Sequence, residues 1–365
     1  MTIGPARAAR APRVGTDSTT AIIDGRRAMP GGDDYTGLKR LVLEAGLFET
    51  QSRYYVGLMI VNSVVFGACL AVFLVTRNLW VVVPNAVLLA VISGQLGFQL
   101  HDAGHQQMFR VRWKNTAVGL ITANLLLGMS YGWWVQKHNR HHANPNHVVR
   151  DPDINNPAIA YTQEQALGRW GPLRLLARYQ AFLFFPLLGL LAWSMHVAGA
   201  VFLVRRRSRR RGLEALALLA HAAAYVGVLV FALGPWRALL VIAIHKAVGG
   251  FYLASVFAPN HKGMPQMDDD SKLDFLRSQV VTSRNIRGAW WTDLLFGSLN
   301  YQVEHHLFPR MPRNRLRRSS VIVRAFCVQR GVPYHETSFL GSYGELLRFL
   351  HAVGAPLRSS ARPVS

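Results

Sequence analysis

The chain has 365 residues, of which 50% are hydrophobic and only 16% are charged, and its formal net charge is +22. This length suits two soluble domains or one polytopic membrane domain, and the long uncharged apolar stretches favour the membrane domain. The positive charge does not indicate a nucleic-acid partner, because arginines gather at the ends of those stretches. Six lie within residues 205–211 alone, a pattern typical of cytoplasmic loops facing anionic lipid headgroups.

The N-terminal residues 1–34 are rich in Arg, Ala, Gly and Pro and lack an apolar core stretch. We expect a disordered tail here and no cleavable signal peptide. Residues 37–48 follow with helical apolar spacing, which predicts a helix lying on the membrane surface. One membrane domain is expected over residues 35–355, followed by a C-terminal tail over 356–365.

Four apolar stretches are long enough to cross a bilayer, which takes about 20 residues per helix. They pair into two hairpins, with tight turns at Arg77-Asn78 and at Gly234-Pro235. The short turns hold one arginine each, whereas the arginine clusters flank the opposite ends. The turns are therefore expected outside and both termini in the cytoplasm. The predicted spans are residues 54–76, 79–100, 213–233 and 236–258.

Two further apolar stretches are predicted to lie in the interface or to dip part-way into the membrane. If residues 115–136 crossed the bilayer, the histidines before and after them would lie on opposite faces. If residues 179–204 crossed, the arginine cluster at 205–211 would face outside. The fold class predicted is therefore all-α and integral to the membrane, with four spans, interfacial helices and a cytosolic cap.

Seven of the 14 histidines fall in three short clusters. Spacings of three and four residues place side chains on one face of a helix, and the predicted topology opens all three clusters on the cytoplasmic side. Such a concentration of imidazoles predicts a metal site. The clusters are His101 and His105; His138, His141 and His142; and His305 and His306.

The type and number of these ligands narrow the choice of metal. Seven imidazoles are too many for one zinc ion, which is usually four-coordinate. Imidazole without thiolate suits iron, zinc, copper or nickel. A two-metal centre with open positions for dioxygen favours iron.

The three clusters and their surroundings resemble the histidine boxes of membrane fatty-acid desaturases. The likeness extends to Trp133-Trp134, to Asp151-Pro-Asp153 and to the sequence Asn-Tyr-Gln-Val-Glu-His-His-Leu-Phe-Pro at residues 300–309, and it covers residues 35–355. Gln302 stands where an all-histidine third box has a histidine. This is similar to front-end desaturases and to several bacterial acyl-CoA or acyl-lipid desaturases. Gln302 is either a weak oxygen ligand or a hydrogen-bonding neighbour.

The resemblance also implies a ligand outside the boxes, because related desaturases complete the metal sphere with a histidine near the end of the fourth span. His261 occupies that place. His245 lies 16 residues earlier, about 24 Å away at the α-helical rise, and is not expected to share the metal site. The intramembrane pair His245-Lys246 is predicted to face the bundle interior in a structural role.

Metal-bound histidines usually donate their other ring N–H to a carboxylate or a carbonyl. Four acids lie near enough in the sequence to accept, although each is equally suited to cap a helix or to lie in a loop. They are Asp102, Asp151, Asp153 and Asp293.

The activity implied by the resemblance is the insertion of a double bond, normally cis, into an acyl-CoA or acyl-lipid chain. Two iron ions and dioxygen would take part, at the cytoplasmic side of the inner membrane. Neither a Gly-x-Gly-x-x-Gly loop nor a cysteine set is present, so a separate electron donor, a ferredoxin, flavoprotein reductase or cytochrome, is expected on the basic face. The alternatives are a di-iron acyl or alkane hydroxylase and, outside the enzymes, a metal transporter.

Overall fold

The computed structural model describes residues 33–205 and 210–359 and is mostly helical, with one small parallel two-stranded sheet. The longer helices are α1 (Asp34–Glu44), α2 (Ser52–Val75), α3 (Leu79–Gly104), α4 (Arg112–Leu120), α5 (Tyr131–Ala143), α7 (Gly171–Leu188), α8 (Leu191–Arg205), α9 (Arg211–Leu233), α10 (Pro235–His261), α14 (Arg313–Gln329) and α15 (Phe339–Val353). The shorter elements are α6 (Gln163–Leu167), α11 (Phe275–Val281), α12 (Trp290–Leu295), α13 (Gln302–Leu307), α16 (Ala355–Ser359), a π-helix (Ile121–Leu127), β1 (Asn285–Ile286) and β2 (Glu336–Thr337).

Within the described residues, four single helices are long and apolar enough to cross a membrane, and they are the four predicted spans. α2 has 24 residues, α3 has 26, α9 has 23 and α10 has 27. The all-α class with two hairpins is thus confirmed. α3 and α10 run beyond their apolar stretches, because buried polar side chains there bond within the protein rather than to water. His101 and His261 therefore stand on the same helices that form the bundle.

Close contact between α3 and α10 depends on glycine. A Cβ atom at Gly94 would lie only 2.3 Å from the ring of Tyr252, and one at Gly97 would lie 3.3 Å from Leu253. The two helices therefore approach more closely than side chains at these positions would allow. This contact places the C-terminal residues of both helices side by side.

The two stretches predicted to be interfacial are sharply bent. The segment formed by α4 and the π-helix meets α5 at 114°, and α7 meets α8 at 82°. Gly128 adopts a left-handed conformation (φ 72°) at the first bend, where a side chain would be strained. Such bends are incompatible with straight crossings, and the first one turns the histidines of α5 back toward the end of α3.

Glu214, at the start of α9, holds the first bend in place. Its buried carboxylate accepts hydrogen bonds from Ser130 Oγ (2.7 Å) and from the backbone N–H of Gly132 (3.0 Å). Acceptors at a helix N-terminus satisfy N–H groups that have no partner within the helix. A side chain from a predicted span therefore fixes the start of the helix that carries the second histidine cluster.

The described residues include only the inner parts of the two predicted tails. Residues 1–32 of the predicted tail lie outside the described residues, and the predicted surface helix begins at Asp34, with the Asp33 carboxylate accepting from the N–H of Tyr35 at 3.3 Å. The predicted C-terminal tail, residues 356–365, is described only as far as residue 359. Residues Ala355–Ser359 form α16 because Leu357 is buried against a small apolar cluster that includes Ala177.

The cap over the ends of α3 and α10 is built from α1, α11, α13 and α14. Its core contains Leu38, Val303, Leu307 and Leu316, all fully buried. Strands β1 and β2 pair beside α13. This core fixes the short helix that carries the third histidine cluster.

Candidate metal centre

Among the described residues, the histidines of all three clusters and His261 meet in two adjacent groups. In the first group the ligand atoms all lie within 4.8 Å of one another. The Nε2 atoms of His101 and His305 are 3.0 Å apart, and those of His105 and His138 are 2.9 Å apart. The members of the first group are His101, His105, His138, His142 and His305.

The second group consists of His141, His261 and His306, again with ligand atoms within 4.8 Å of one another. His141 Nε2 lies 3.3 Å from His261 Nε2. The structure therefore brings His261 to the centre although it belongs to none of the three clusters. Each of the two groups of converging nitrogens could hold a metal ion.

The helical period explains how the same short helices supply both groups. His138 and His142 are four residues apart and share one face of α5, whereas His141 lies about 100° away from His142 around the axis. The neighbours His305 and His306 on α13 diverge in the same way. The double histidine in each of these clusters thus supplies one ligand to each group.

The chemistry of the two groups fits metal cations. Burial, reinforced by the neighbouring imidazoles, lowers the pKa of His305 and of His306 well below the usual histidine value. Both rings are therefore neutral at pH 7, and a neutral imidazole has one donor and one acceptor nitrogen. The Nε2 atom of His306 is buried and has no hydrogen-bond partner among the described residues. Converging neutral nitrogens with free lone pairs are what a metal ion with imidazole ligands requires.

In the second group, outer partners point each ring toward the centre. His141 Nδ1 lies 3.0 Å from both carboxylate oxygens of Asp151. His261 Nδ1 lies 3.0 Å from the backbone carbonyl oxygen of Thr282. His306 Nδ1 lies 3.0 Å from the side-chain oxygen Oε1 of Gln279. Each of these acceptors takes the Nδ1–H and leaves Nε2 free to bind a metal.

Sequence reasoning found Asp151 but missed the other two acceptors. Thr282 contributes a backbone carbonyl, which leaves no mark in the sequence. Gln279 is an ordinary amide on α11, far from every histidine cluster along the chain. Burial alone would raise the pKa of the Asp151 carboxyl group. The charge and the hydrogen bond of His141 outweigh burial and hold this pKa below its usual value.

The other predicted acids have different surroundings. Asp102 Oδ1 lies 3.4 Å from His101 Nδ1, and its second oxygen pairs with the buried guanidinium of Arg313 at 3.3 Å. Asp153 Oδ2 lies 3.5 Å from His141 Nδ1, and its other oxygen accepts from Lys137. Arg313 was missed because it follows the third cluster but pairs beside the first.

Asp293 lies apart from the imidazoles. Its carboxylate accepts from Asn300 Nδ2 at 3.0 Å and from the Tyr301 hydroxyl at 3.4 Å, and it pairs with Arg317 at 3.5 Å. Asn300 and Tyr301 directly precede α13. The structure thus places Asp293 as a support for the loop that leads into the third cluster.

Gln302 faces the second group. Its side-chain nitrogen lies 2.8 Å from His261 Nε2, and its oxygen accepts from Asn260 Nδ2 at 3.1 Å. The assignment of the two amide atoms rests on this hydrogen-bond pattern. In this arrangement Gln302 is a hydrogen-bonding neighbour of His261, whereas rotating the amide by 180° would present its oxygen to the centre and set its N–H₂ group against that of Asn260.

A helical bundle whose buried end carries two facing histidine groups defines a protein with a histidine-rich candidate metal centre. The family model for fatty acid desaturases matches residues 78–338. The acyl-lipid (9-3)-desaturase of Physcomitrium patens is 33% identical over 88% of this chain and 62% of its own length. The Delta(8)-fatty-acid desaturase of Euglena gracilis is 30% identical, over 87% and 78% respectively, and the Delta(5) fatty acid desaturase fat-4 of Caenorhabditis elegans is 29% identical, over 90% and 76%.

This chain belongs to the fatty acid desaturase family, as the three histidine clusters indicated. It spans only about three-fifths of the length of the Physcomitrium relative. The family match covers the region from the start of α3 to the end of β2, and therefore all eight histidines of the centre.

Proposed function

We propose that this chain is a dioxygen-dependent fatty acyl desaturase that inserts a double bond, normally cis, into the acyl chain of an acyl-CoA or an acyl-lipid. The observation that carries the proposal is the division of eight histidines, six buried and two half-buried, into two adjacent groups. Two neighbouring metal positions suit dioxygen chemistry on an unactivated carbon chain, which one four-coordinate zinc site does not. The names of the relatives support the same substrate class.

The metals proposed are two iron ions. The five histidines of the first group would hold one of them, and His141, His261 and His306, with Gln302 beside them, would hold the other. When bound, the iron pair supplies the oxidising power to remove hydrogen from a saturated methylene group, with dioxygen as the co-substrate.

The protein's own side chains orient the ligands and bound the reaction space. Trp134 stacks on His138 with ring centroids 4.5 Å apart and meets the His101 ring edge-on at 5.8 Å. This indole forms an apolar wall against the first group and excludes water from that side. Asp151, Thr282 and Gln279 keep three Nδ1–H groups engaged, so that these rings cannot turn away from the centre.

The balance of the reaction requires an external reductant. A saturated chain loses two hydrogens and dioxygen becomes two waters, so two further electrons and two protons must be supplied. We propose a separate electron-donor protein, a ferredoxin, flavoprotein reductase or cytochrome, which docks on the basic face that includes α14. Arg317 and Arg324 on that helix have side chains 63% and 61% exposed, and complementary charge speeds such encounters.

The location proposed is the cell (inner) membrane, crossed by α2, α3, α9 and α10, with the metal centre and both termini on the cytoplasmic side. The described arginines at the start of α9 and those of α14 lie at the metal-centre end of the bundle, which supports this orientation. A metal-transporter role fits less well, because transport sites lie near the bilayer midplane on interrupted helices. Here the groups lie at the ends of α3 and α10.

The test is expression in a desaturase-deficient host, followed by gas chromatography–mass spectrometry of total acyl chains with mapped double bonds. The wild-type chain should give products lighter by two hydrogens, and His305→Ala should give none. His147→Ala is the matched control, because His147 lies near the second cluster but contacts Asp269 at 3.3 Å rather than the centre. Products that gain one oxygen would establish a hydroxylase and overturn the proposal.

A further inference from the structure

A polar cluster lies within the bundle, away from the metal centre. His245 on α10 is fully partnered there, since its Nε2 lies 2.9 Å from Ser93 Oγ and its Nδ1 lies 2.6 Å from the Tyr225 hydroxyl. These bonds join α3, α9 and α10. His245 therefore links three of the predicted spans, in keeping with the structural role predicted for it.

The adjacent Lys246 is different. It is only 7% exposed, and it donates one hydrogen bond among the described residues, to His196 Nε2 at 3.0 Å. Its ammonium lies 5.1 Å from the centre of the Tyr225 ring. An ammonium group has three N–H donors, and within residues 33–205 and 210–359 no carboxylate forms an ion pair with it. Two donors therefore lack a protein acceptor in a setting where buried polar groups are normally bonded.

These two donors adjoin a cavity of about 60 Å³ between α3, α8, α10 and the first bend. The polar part of its lining consists of two hydrogen-bonded pairs, Ser93 with His245 and Lys246 with His196. The remaining lining is apolar, from glycine, alanine, leucine and the two methionines Met129 and Met195. The cavity thus suits a ligand that is aliphatic along its length and carries a hydrogen-bond acceptor at its end.

The apolar wall of the cavity continues to the metal centre. Met129 and Met195 pack in one cluster with Trp134, and Trp134 contacts the rings of His101 and His138. Flexible methionine side chains can move aside for an aliphatic chain. A chain that passes the metal centre at Trp134 would reach the cavity next.

The depth of the cavity matches the far part of a long acyl chain. Ser93 precedes His101 by 8 residues and His245 precedes His261 by 16 residues, which correspond to about 12 and 24 Å along the respective helices. These two lengths bracket the distance between the metal centre and the cavity. The cavity therefore lies where the end of the substrate remote from the reacting carbons would rest.

We propose that this cavity binds the distal end of the acyl chain and that Lys246 donates to an oxygen atom carried there, as a hydroxyl or a carboxylate group. The inference rests on the proposed function, because it takes an acyl chain as the substrate. A methyl end would leave both free donors of Lys246 unpartnered in apolar surroundings, whereas an oxygen would satisfy them. The preferred substrates would then be chains oxygenated at or near their terminal carbon.

The test compares binding of an alkane, a primary alcohol and a fatty-acid anion of equal chain length to the detergent-solubilised full chain. Each is measured by displacement of a tritiated fatty acid. The alcohol and the anion should bind the wild type about tenfold or more tightly than the alkane, as expected for hydrogen bonds to a charged donor. Lys246→Met preserves side-chain length and should abolish this preference.

Two further variants serve as controls for the charge and for the hydrogen-bond donor of Lys246. Arg237→Met removes one positive charge from the outer end of the same helix, where Arg237 lies over the Trp236 ring, and should keep the full preference. Lys246→Gln keeps a donor without the charge, so it should retain preference for the alcohol and lose it for the anion. If Lys246→Met does not fold, as judged by thermal unfolding, Lys246→Gln carries the comparison.

Equal preferences in the wild type and in Lys246→Met would overturn the inference and assign Lys246 to internal packing. That result would leave the proposed function standing if the wild type still desaturates methyl-ended chains. Conversely, absence of any desaturated product would overturn the proposed function, even where the binding preference depends on Lys246. The two failures are therefore distinguishable.

Discussion

Replacing Asp151 by asparagine tests how outer contacts control the metal centre. The carboxylate is fully buried and has both oxygens 3.0 Å from His141 Nδ1. It also accepts from the backbone N–H groups of Asn146 and Asp153, each at 2.8 Å. An asparagine keeps one accepting oxygen and turns an N–H₂ group toward a backbone N–H. The substitution therefore removes the charge that orients His141 and leaves one buried donor without an acceptor.

The expected loss in metal affinity is 10- to 100-fold, the usual range for removal of an outer partner, which corresponds to about 1.4 to 2.7 kcal/mol. The loss should be confined to one metal position, since His141 belongs to the second group and not to the first. Iron content, measured by mass spectrometry of the elements after dialysis against a chelator, should fall from two ions per chain toward one. Desaturation should fall with it.

Asp153→Asn is the matched control. Asp153 lies two residues away and its side chain is 34% exposed, but its nearer oxygen is 3.5 Å from His141 Nδ1 and it pairs mainly with Lys137. The substitution should change metal affinity by less than about threefold, in line with the small worth of exposed ion pairs. Full iron content in Asp151→Asn, or an equal loss in both variants, would refute the role assigned to Asp151.

Three further outcomes are expected. His261→Ala should lower iron content and desaturation together, whereas Gln302→His should preserve iron binding. Two iron ions and normal turnover in His261→Ala would show that His261 is not a metal ligand. A cysteine at Asn78 should react with an impermeant maleimide on intact cells and one at Ser271, on the metal-centre side, should not; the reverse pattern would invert the topology. Glu214→Ala should lower the free energy of unfolding by about 1 to 3 kcal/mol, measured by thermal unfolding in detergent, and an unchanged midpoint would show that the bend holds without it.

The spans and the histidine clusters were predictable because both are local patterns. A bilayer demands about 20 consecutive apolar residues, and such a stretch can be read directly from residues 54–76 or 213–233. Spacings of three or four residues fix which side chains share a helix face, so the pairing of His138 with His142 follows from the sequence. The resemblance to the desaturase family added His261, which no local pattern singles out.

The sequence could not divide the eight histidines into two groups. That division depends on how α3, α5, α10 and α13 are rotated and packed, which residues far apart in the chain decide together. The 114° bend before α5 is one example, since it is held by Glu214 from another helix. Asp293 is another, because its nearness to the third cluster in sequence gave no sign that it bonds Asn300 and Tyr301 instead of an imidazole.

The sequence by itself determined which side chains can bind a metal and which segments can lie in a membrane, since both follow from residue type and short-range spacing. Only the tertiary structure decided what each buried polar group meets. The carbonyl of Thr282 on His261 and the imidazole of His196 on Lys246 are contacts between distant segments. A backbone carbonyl is the same at every residue, and a long-range contact is set by the packing of whole helices, so neither is encoded in any local stretch of sequence.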